Sequence, residues 1–338
     1  MYELIRPLLF CLDPERAQSV AVAGLRAFHF LPGVGFDGRV ATAEPPVELF
    51  GLRFRNRVGL AAGFDKSAKY VDTLAHLGFG FIEVGTVTPR PQPGNPRPNL
   101  FRLPEDEALI NRMGFPNEGA AVAARRLEKR RYSGVCGVNI GKNFDTPLAE
   151  AAKDYVSCLR TVYAVADYVT VNISSPNTAG LRDLQNADVL RALVLEVAGA
   201  REQLQPVHGK RVPILIKLAP DLSQTQLQEI AVQLRQLPVD GVIATNTTTT
   251  RPASLRSAHA TQQGGLSGRP LRELSLQAVG TLRQHLGPDM PMVGVGGIFS
   301  ANEGRAMLAA GANLLQVYTG LVYRGPGLVR SLIEGAAR

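Results

Sequence analysis

Five asparagines, Asn111, Asn139, Asn172, Asn177 and Asn246, and two lysines, Lys66 and Lys217, stand at or just past the ends of short apolar runs or on the loops beside them. An isolated asparagine is most often a turn residue. Several on one face suit a flat heterocycle with both donors and acceptors: an amide supplies both, and a buried polar ligand has to be hydrogen-bonded throughout. The lysines add positive charge for an anion. Glycines follow two late apolar runs, at Gly294, Gly296, Gly297 and Gly320. Without a Cβ their N–H groups can come close to a phosphate; tight turns with no ligand are the alternative. Gly264-Gly265-Leu266-Ser267-Gly268 favours the ligand. Other chemistries find little support. The five histidines show no metal-ligand spacing, and Cys11, Cys136 and Cys158 form no C-x-x-C pair, so a metal is not expected and the thiols read as reduced and cytosolic. Gly33-Val34-Gly35-Phe36-Asp37-Gly38 matches the dinucleotide fingerprint G-x-G-x-x-G. It follows a helical stretch and opens no helix, so its context is wrong, and no site for NAD or the adenylate half of FAD is visible.

Those residues need a scaffold. The chain has 338 residues, 45% of them apolar and 20% charged, enough for a large core. Eight runs read as strands buried on both faces: Val58–Ala62, Phe81–Val84, Val135–Asn139, Tyr168–Asn172, Ile214–Lys217, Gly241–Thr245, Met292–Val295 and Leu314–Val317. Amphipathic stretches lie between them, such as Lys66–Leu77, Glu118–Arg131, Pro147–Val165 and Ser223–Leu237. Eightfold alternation predicts a closed (β/α)8 TIM barrel over residues 46–338, with a doubly wound open sheet as the competing architecture. Such barrels carry their sites at the carboxyl ends of the strands, where the asparagines and lysines fall. Val47–Leu49 and Arg53–Arg55, flanking Phe50-Gly51-Leu52, predict a small hairpin. Residues 86–116 read as a long loop held stiff by Pro89, Pro91, Pro93, Pro96 and Pro98.

Residues 1–45 read as a helical extension. Asp13 and Pro14 make a helix start. Arg16, Ser19 and Arg26 fall on one side of the helix that follows, with Val20, Ala23, Ala27 and Leu31 on another, widened by Val22, Leu25 and Phe28. The earlier segment with Leu4, Ile5, Leu8, Leu9 and Leu12 is also amphipathic, and its Pro7 requires a nearby helix start. Neither is long enough to span a bilayer. The formal charge of +8 suits anionic ligands or an anionic surface better than nucleic acid, because no basic run is interleaved with aromatics.

Longer motifs carry a resemblance over essentially the whole chain: Gly59-Leu60-Ala61-Ala62-Gly63, Gly85-Thr86-Val87-Thr88-Pro89-Arg90-Pro91-Gln92-Pro93-Gly94-Asn95, Phe101-Arg102-Leu103, Ile110-Asn111-Arg112-Met113-Gly114-Phe115, Asn139-Ile140-Gly141-Lys142-Asn143, Asn172-Ile173-Ser174-Ser175-Pro176-Asn177-Thr178, Thr245-Asn246-Thr247-Thr248 and Gly264-Gly265-Leu266-Ser267-Gly268-Arg269-Pro270-Leu271. The chain resembles the quinone-dependent, membrane-associated class (class 2) of the dihydroorotate dehydrogenases. The resemblance implies FMN, held by Ala62, Gly63, Lys66, Thr86, Asn139, Asn172, Lys217, Thr245, Gly268, Gly297, Tyr318 and Thr319. It implies dihydroorotate on Lys66, Asn111, Phe115, Asn172, Asn177, Asn246 and Thr247, and Ser175 as the base. Composition alone would not select Ser175, since a free hydroxyl is a poor base; the soluble class carries cysteine there. Two residues depart from the expected pattern: Pro116, where asparagine is expected, and Phe299, where a small or polar residue is expected.

The activity so implied oxidises (S)-dihydroorotate to orotate, for pyrimidine synthesis, with a membrane quinone reoxidising the flavin near Arg102 and Tyr318. Residues 1–45 would lie on the cytoplasmic side of the cell membrane as a peripheral lid over the quinone entrance. A soluble-class enzyme using fumarate or NAD, and a non-catalytic phosphate-binding barrel, are the rival readings.

Overall fold

The computed structural model describes residues 2–29 and 46–336; the glycine fingerprint at Gly33–Gly38 and Leu31 lie outside them. Eight parallel strands close in chain order: β1 (Val58–Leu60), β2 (Phe81–Val87), β3 (Val135–Ile140), β4 (Tyr168–Asn172), β5 (Ile214–Leu218), β6 (Gly241–Ala244), β7 (Met292–Val295) and β8 (Leu314–Val317). Every one of their residues is buried, which is why near-continuous apolar runs announced them. The competing open sheet is excluded, because β8 pairs with β1.

Two cores result. One lies between strands and outer helices. The other fills the amino-terminal half of the barrel, where large rings replace the usual branched side chains: a Cβ at Gly59 would run into the Phe81 ring, and one at Gly137 into the Tyr168 ring. A hairpin of Val47–Leu49 and Leu52–Phe54 plugs that end, its Phe54 ring edge-on to Phe81 at 5.3 Å. Its second strand starts one residue before the predicted Arg53–Arg55. Phe50 and Gly51, both at positive φ (56° and 76°), make the turn with two residues, as a tight hairpin requires.

The predicted helices hold with shorter ends. Ser223 caps Gln224–Leu234 through a reciprocal box with Gln226. Lys66–Leu77 is the main departure: only Val71–Ala75 is helical. The buried Asp65 carboxylate accepts from the N–H groups of Lys69 (2.8 Å) and Tyr70 (2.7 Å), and Ala68 sits at φ 55°, which a helix cannot contain. Residues 86–116 are more than a stiff loop. Leu100–Leu103 and Ala108–Asn111 pair antiparallel, and Gly265–Gly268 adds a third strand, so the glycine-rich run after β6 serves this small sheet as well as the cavity beneath it.

At the amino terminus, α1 (Tyr2–Phe10) and α2 (Pro14–His29) meet at Asp13, whose carboxylate accepts from the N–H groups of Glu15 and Arg16. The α1 helix starts at Tyr2 and passes through Pro7, past the first turn, so the ring removes one helical N–H donor there. One face of α1 docks: the Tyr2 hydroxyl donates to Val322 O (2.5 Å), Arg6 to Tyr323 O (3.1 Å), and the Phe10 ring meets Tyr323 at 5.3 Å. The other face carries Leu4 and Leu8, both exposed, Leu4 at 81%; Ile5, beside the groove, and Leu12, just past the helix, are exposed as well. On α2, Arg16, Ser19 and Arg26 are exposed, and so are Val20 and Ala23 of the apolar side. Val22 and Leu25 provide the packed face, and Gln18 ties it to Phe64 O at 2.7 Å.

Candidate active site

The carboxyl ends of the strands enclose a cavity of about 160 Å³. From β1 it takes Ala62, Gly63 and Lys66; from β2, Thr86; from β4, Asn172, Ser175 and Asn177; from β5, Lys217; from β6, Thr245, Asn246 and Thr247. Gly297 follows β7, Tyr318 and Thr319 follow β8, and the small sheet and its flanks add Asn111, Phe115 and Gly268. All the expected flavin and substrate residues therefore line one cavity except Asn139, which is fully buried behind its wall.

The wall is a chain of directional bonds. Thr86 Oγ1 donates to Asn139 Oδ1 (2.5 Å); Asn172 Nδ2 reaches Thr86 Oγ1 (2.9 Å) and Asn139 Oδ1 (3.1 Å). Asn246 Nδ2 donates to Asn172 Oδ1 (3.3 Å) and Ser174 Oγ (3.0 Å), while Asn177 Nδ2 meets Asn111 Oδ1 (3.0 Å). Ser175 is buried, its Oγ accepting from Asn177 N at 3.3 Å. Asn117 stabilises the turn that Pro116 enters: its amide donates to Phe115 O (2.8 Å) and accepts from Gly119 N (2.8 Å), holding Phe115 at φ 56°. The departure at Pro116 thus leaves Asn111 and Phe115 at the cavity. Phe299 is buried beneath Tyr323, with the Arg269 guanidinium 4.8 Å from its ring, a packing role away from the cavity.

Burial lowers the Lys66 ammonium below the ordinary lysine range, with Glu15 and Asp65 pulling it back; burial likewise lowers Lys217, opposed by Glu83. Among the described residues neither lysine has a carboxylate within 4 Å. A buried cation without a contacting partner is costly, and an anionic or electron-rich ligand in the cavity would offset that cost. Gln316, on the same wall, keeps a buried Oε1 with no partner among the described residues. These donors and cations, with glycine backbone at the opposite end near Gly268 and Gly297, fit a flat heterocycle that carries a phosphate. No group of three or more potential metal ligands occurs among the described residues.

Tyr318, Leu100 and Leu109 also line a second cavity, of about 520 Å³, between α1, α2 and the barrel. Its wall is apolar, including Ile5, Leu9, Ala21 and Leu25, apart from Gln18 and Arg102. Arg102 donates to Phe10 O (2.6 Å) and Leu12 O (2.8 Å) and stacks on Phe10 at 4.6 Å. Burial pushes the Tyr318 phenol up to about 12, so it keeps its proton.

The dihydroorotate dehydrogenase profile matches residues 46–338. The chain belongs to the dihydroorotate dehydrogenase family. Its relatives include the dihydroorotate dehydrogenase (quinone) of Thiobacillus denitrificans, 53% identical over the full length of both chains. That of Aromatoleum aromaticum is 50% identical over 99% of this chain and 94% of its own. A crystal structure of DHODH from Eimeria tenella in complex with ferulenol superposes with a TM-score of 0.88 at 38% identity, over 96% of this chain and 90% of that one. Members of this family are flavoenzymes.

Sequence reasoning missed two elements of the site. Arg182 donates to Ser174 O (3.1 Å), Thr247 O (2.8 Å) and Asp221 (2.7 Å), clamping the loops after β4, β5 and β6; nothing marks it among the other arginines. Glu83 lies inside the barrel, in a run that signalled a strand but no role.

Proposed function

We propose that the protein oxidises (S)-dihydroorotate to orotate with a quinone as electron acceptor, using FMN, in pyrimidine synthesis. The observation that carries this reading is the convergence of Ser175, four asparagines and two lysines, Lys217 buried and Lys66 half-buried and neither with a carboxylate within 4 Å among the described residues, on one cavity that shares Tyr318 with an apolar groove. FMN would be held by Ala62, Gly63, Lys66, Thr86, Asn139, Asn172, Lys217, Thr245, Gly268, Gly297, Tyr318 and Thr319. Bound, it supplies hydride acceptance from C6 of the substrate and later electron delivery to the quinone.

The chain's own residues do the rest. Asn111, Asn172, Asn177 and Asn246, with Thr247 and Phe115, would orient the ring, and Lys66 would meet its carboxylate; all of them line the cavity. Ser175 would take the C5 proton, its own hydroxyl proton leaving through a hydrogen-bonded relay. Lys217 would stabilise negative charge that develops on the far side of the cavity. The quinone head group would enter the apolar groove and stop near Arg102 and Tyr318. The exposed leucines of α1 support peripheral attachment to the cytoplasmic side of the cell membrane through residues 1–45; among the described residues no helix is long and apolar enough to cross it. Turnover of dihydroorotate with quinone, fumarate and NAD as alternative acceptors tests the reading: quinone alone should sustain it, and fumarate or NAD as the better acceptor would overturn it.

A further inference from the structure

The barrel interior beneath the cavity holds a carboxylate that this chemistry does not use. Glu83, midway along β2, is fully buried. Three donors converge on it: Asn139 Nδ2 on Oε1 (2.8 Å), and the Tyr168 hydroxyl (2.9 Å) and Gln316 Nε2 (2.8 Å) on Oε2. Among the described residues no basic side chain lies within 4 Å of it. Burial, helped by Glu83 itself, raises the Tyr168 phenol far above its ordinary range, so that hydroxyl remains a donor.

Both Glu83 side-chain oxygens accept, so each of the three neighbours turns a donor toward them. For Asn139 this decides which way the amide faces: nitrogen toward Glu83, oxygen toward the cavity. The oxygen accepts from Thr86 Oγ1 and Asn172 Nδ2. Asn172, its nitrogen committed to Thr86 and Asn139, shows its oxygen to Ser174 N (3.3 Å), Ser174 Oγ (3.1 Å) and Asn246 Nδ2. Backbone donors at Ser174 and Thr247 reinforce that direction at the far end. Among the described residues, Glu83 alone accepts from the nitrogen of the fully buried Asn139. We propose that Glu83 is a positioning residue whose carboxylate fixes the direction of the Asn139 amide and, through it, the Thr86 hydroxyl and the Asn172 amide at the cavity wall. The assignment rests on the dihydroorotate reading of that cavity.

The test uses the flavin-loaded full chain and follows orotate binding by the change in flavin absorbance. If the wild type neither binds orotate nor bleaches with dihydroorotate, the reading of the site fails, independently of Glu83. With that control met, Glu83→Met should weaken orotate binding about tenfold or more, the equivalent of one lost directional hydrogen bond. Glu83→Gln keeps an acceptor oxygen for Asn139, and its nitrogen pairs with Gln316 once that amide turns its now unpartnered oxygen inward in place of the nitrogen, so affinity should return to within about threefold of wild type. Equal weakening in both variants would make charge the cause and overturn the proposal. Unchanged affinity in a folded Glu83→Met protein would also overturn it. Should that variant not fold, Asn139→Asp decides. Alone it sets two carboxylates face to face and should abolish tight orotate binding. Combined with Glu83→Gln, the glutamine nitrogen donates to the new carboxylate, whose other oxygen still serves Thr86 and Asn172, and binding should recover. No recovery in the folded double variant would overturn the assignment.

Discussion

On one side of Tyr318 lies a cavity walled by four asparagines, two lysines and a serine; on the other lies a groove walled by leucine, isoleucine, alanine and phenylalanine. The first is built on strand ends, and its side chains are held by one another from strand to strand around the barrel mouth. The second is built from two short helices that touch the barrel through few polar contacts, chiefly Tyr2, Arg6, Gln18 and Arg102. Hydrogen-bonded walls discriminate strongly, because a wrong ligand leaves buried groups unpaired, whereas an apolar wall separates ligands only weakly by size. The barrel face is therefore suited to one substrate, and the groove to a class of apolar acceptors.

Changes on the polar side should have the largest effects. Ser175→Ala should leave flavin bound and slow its reduction by dihydroorotate on the order of 10²-fold or more; stopped-flow bleaching at the wild-type rate would contradict the role. Reoxidation by quinone should be untouched, which is the comparison in kinetic form. On the apolar side, Leu4→Glu with Leu8→Glu changes two exposed side chains that make no packed core. Binding to lipid vesicles should fall at least tenfold, since each leucine inserted contributes about 1.5–3 kcal/mol, while flavin reduction stays normal. Equal vesicle binding would mean that α1 does not attach the protein to lipid.

The two lysines give a pH signature of the polar side. Their ammonium groups are lowered by burial, so in the ligand-free protein the charged form is the costly one. Stability should rise with pH between the lowered value and the ordinary lysine value, because the unfolded chain binds more protons there. An anionic ligand needs the charge, so orotate affinity should fall over the same window, by at most about tenfold per pH unit for each lysine. Lys66→Met should bind orotate more weakly and with a flatter pH dependence; an unaltered profile would remove Lys66 from the substrate site. The smallest effect is expected at Arg102→Gln. It removes two bonds to the carboxyl end of α1, worth about 1 kcal/mol in this partly exposed position. It should show as faster hydrogen exchange in residues 2–12 without loss of global stability.

The legibility of the two regions differs for the same physical reason. Tyr168–Asn172, Met292–Val295 and Leu314–Val317 were readable to the residue, because strands buried on both faces admit almost only apolar side chains. The asparagines stood out against that background. Lys66–Leu77 misled because its apolar spacing is helical, yet Asp65 takes the N–H groups of Lys69 and Tyr70 that would have opened the helix. On α2 the apolar residues spread over two faces, and the pattern does not say that Val22 and Leu25 pack on the barrel while Val20 and Ala23 stay exposed. Glu83, Tyr168 and Gln316 lie on β2, β4 and β8, widely separated in sequence, and only closure of the barrel brings them together.

The shared wall of Leu100, Leu109 and Tyr318 has a consequence for inhibition patterns. The cavities meet there and are otherwise lined by different residues, the first by strand ends and the second by α1 and α2. On the proposed reading, the product of the first half-reaction does not have to vacate its seat before the acceptor arrives. Orotate should therefore compete with dihydroorotate but not with the quinone, and an apolar molecule lodged between α1 and α2 should do the reverse. Each would leave the other entrance free.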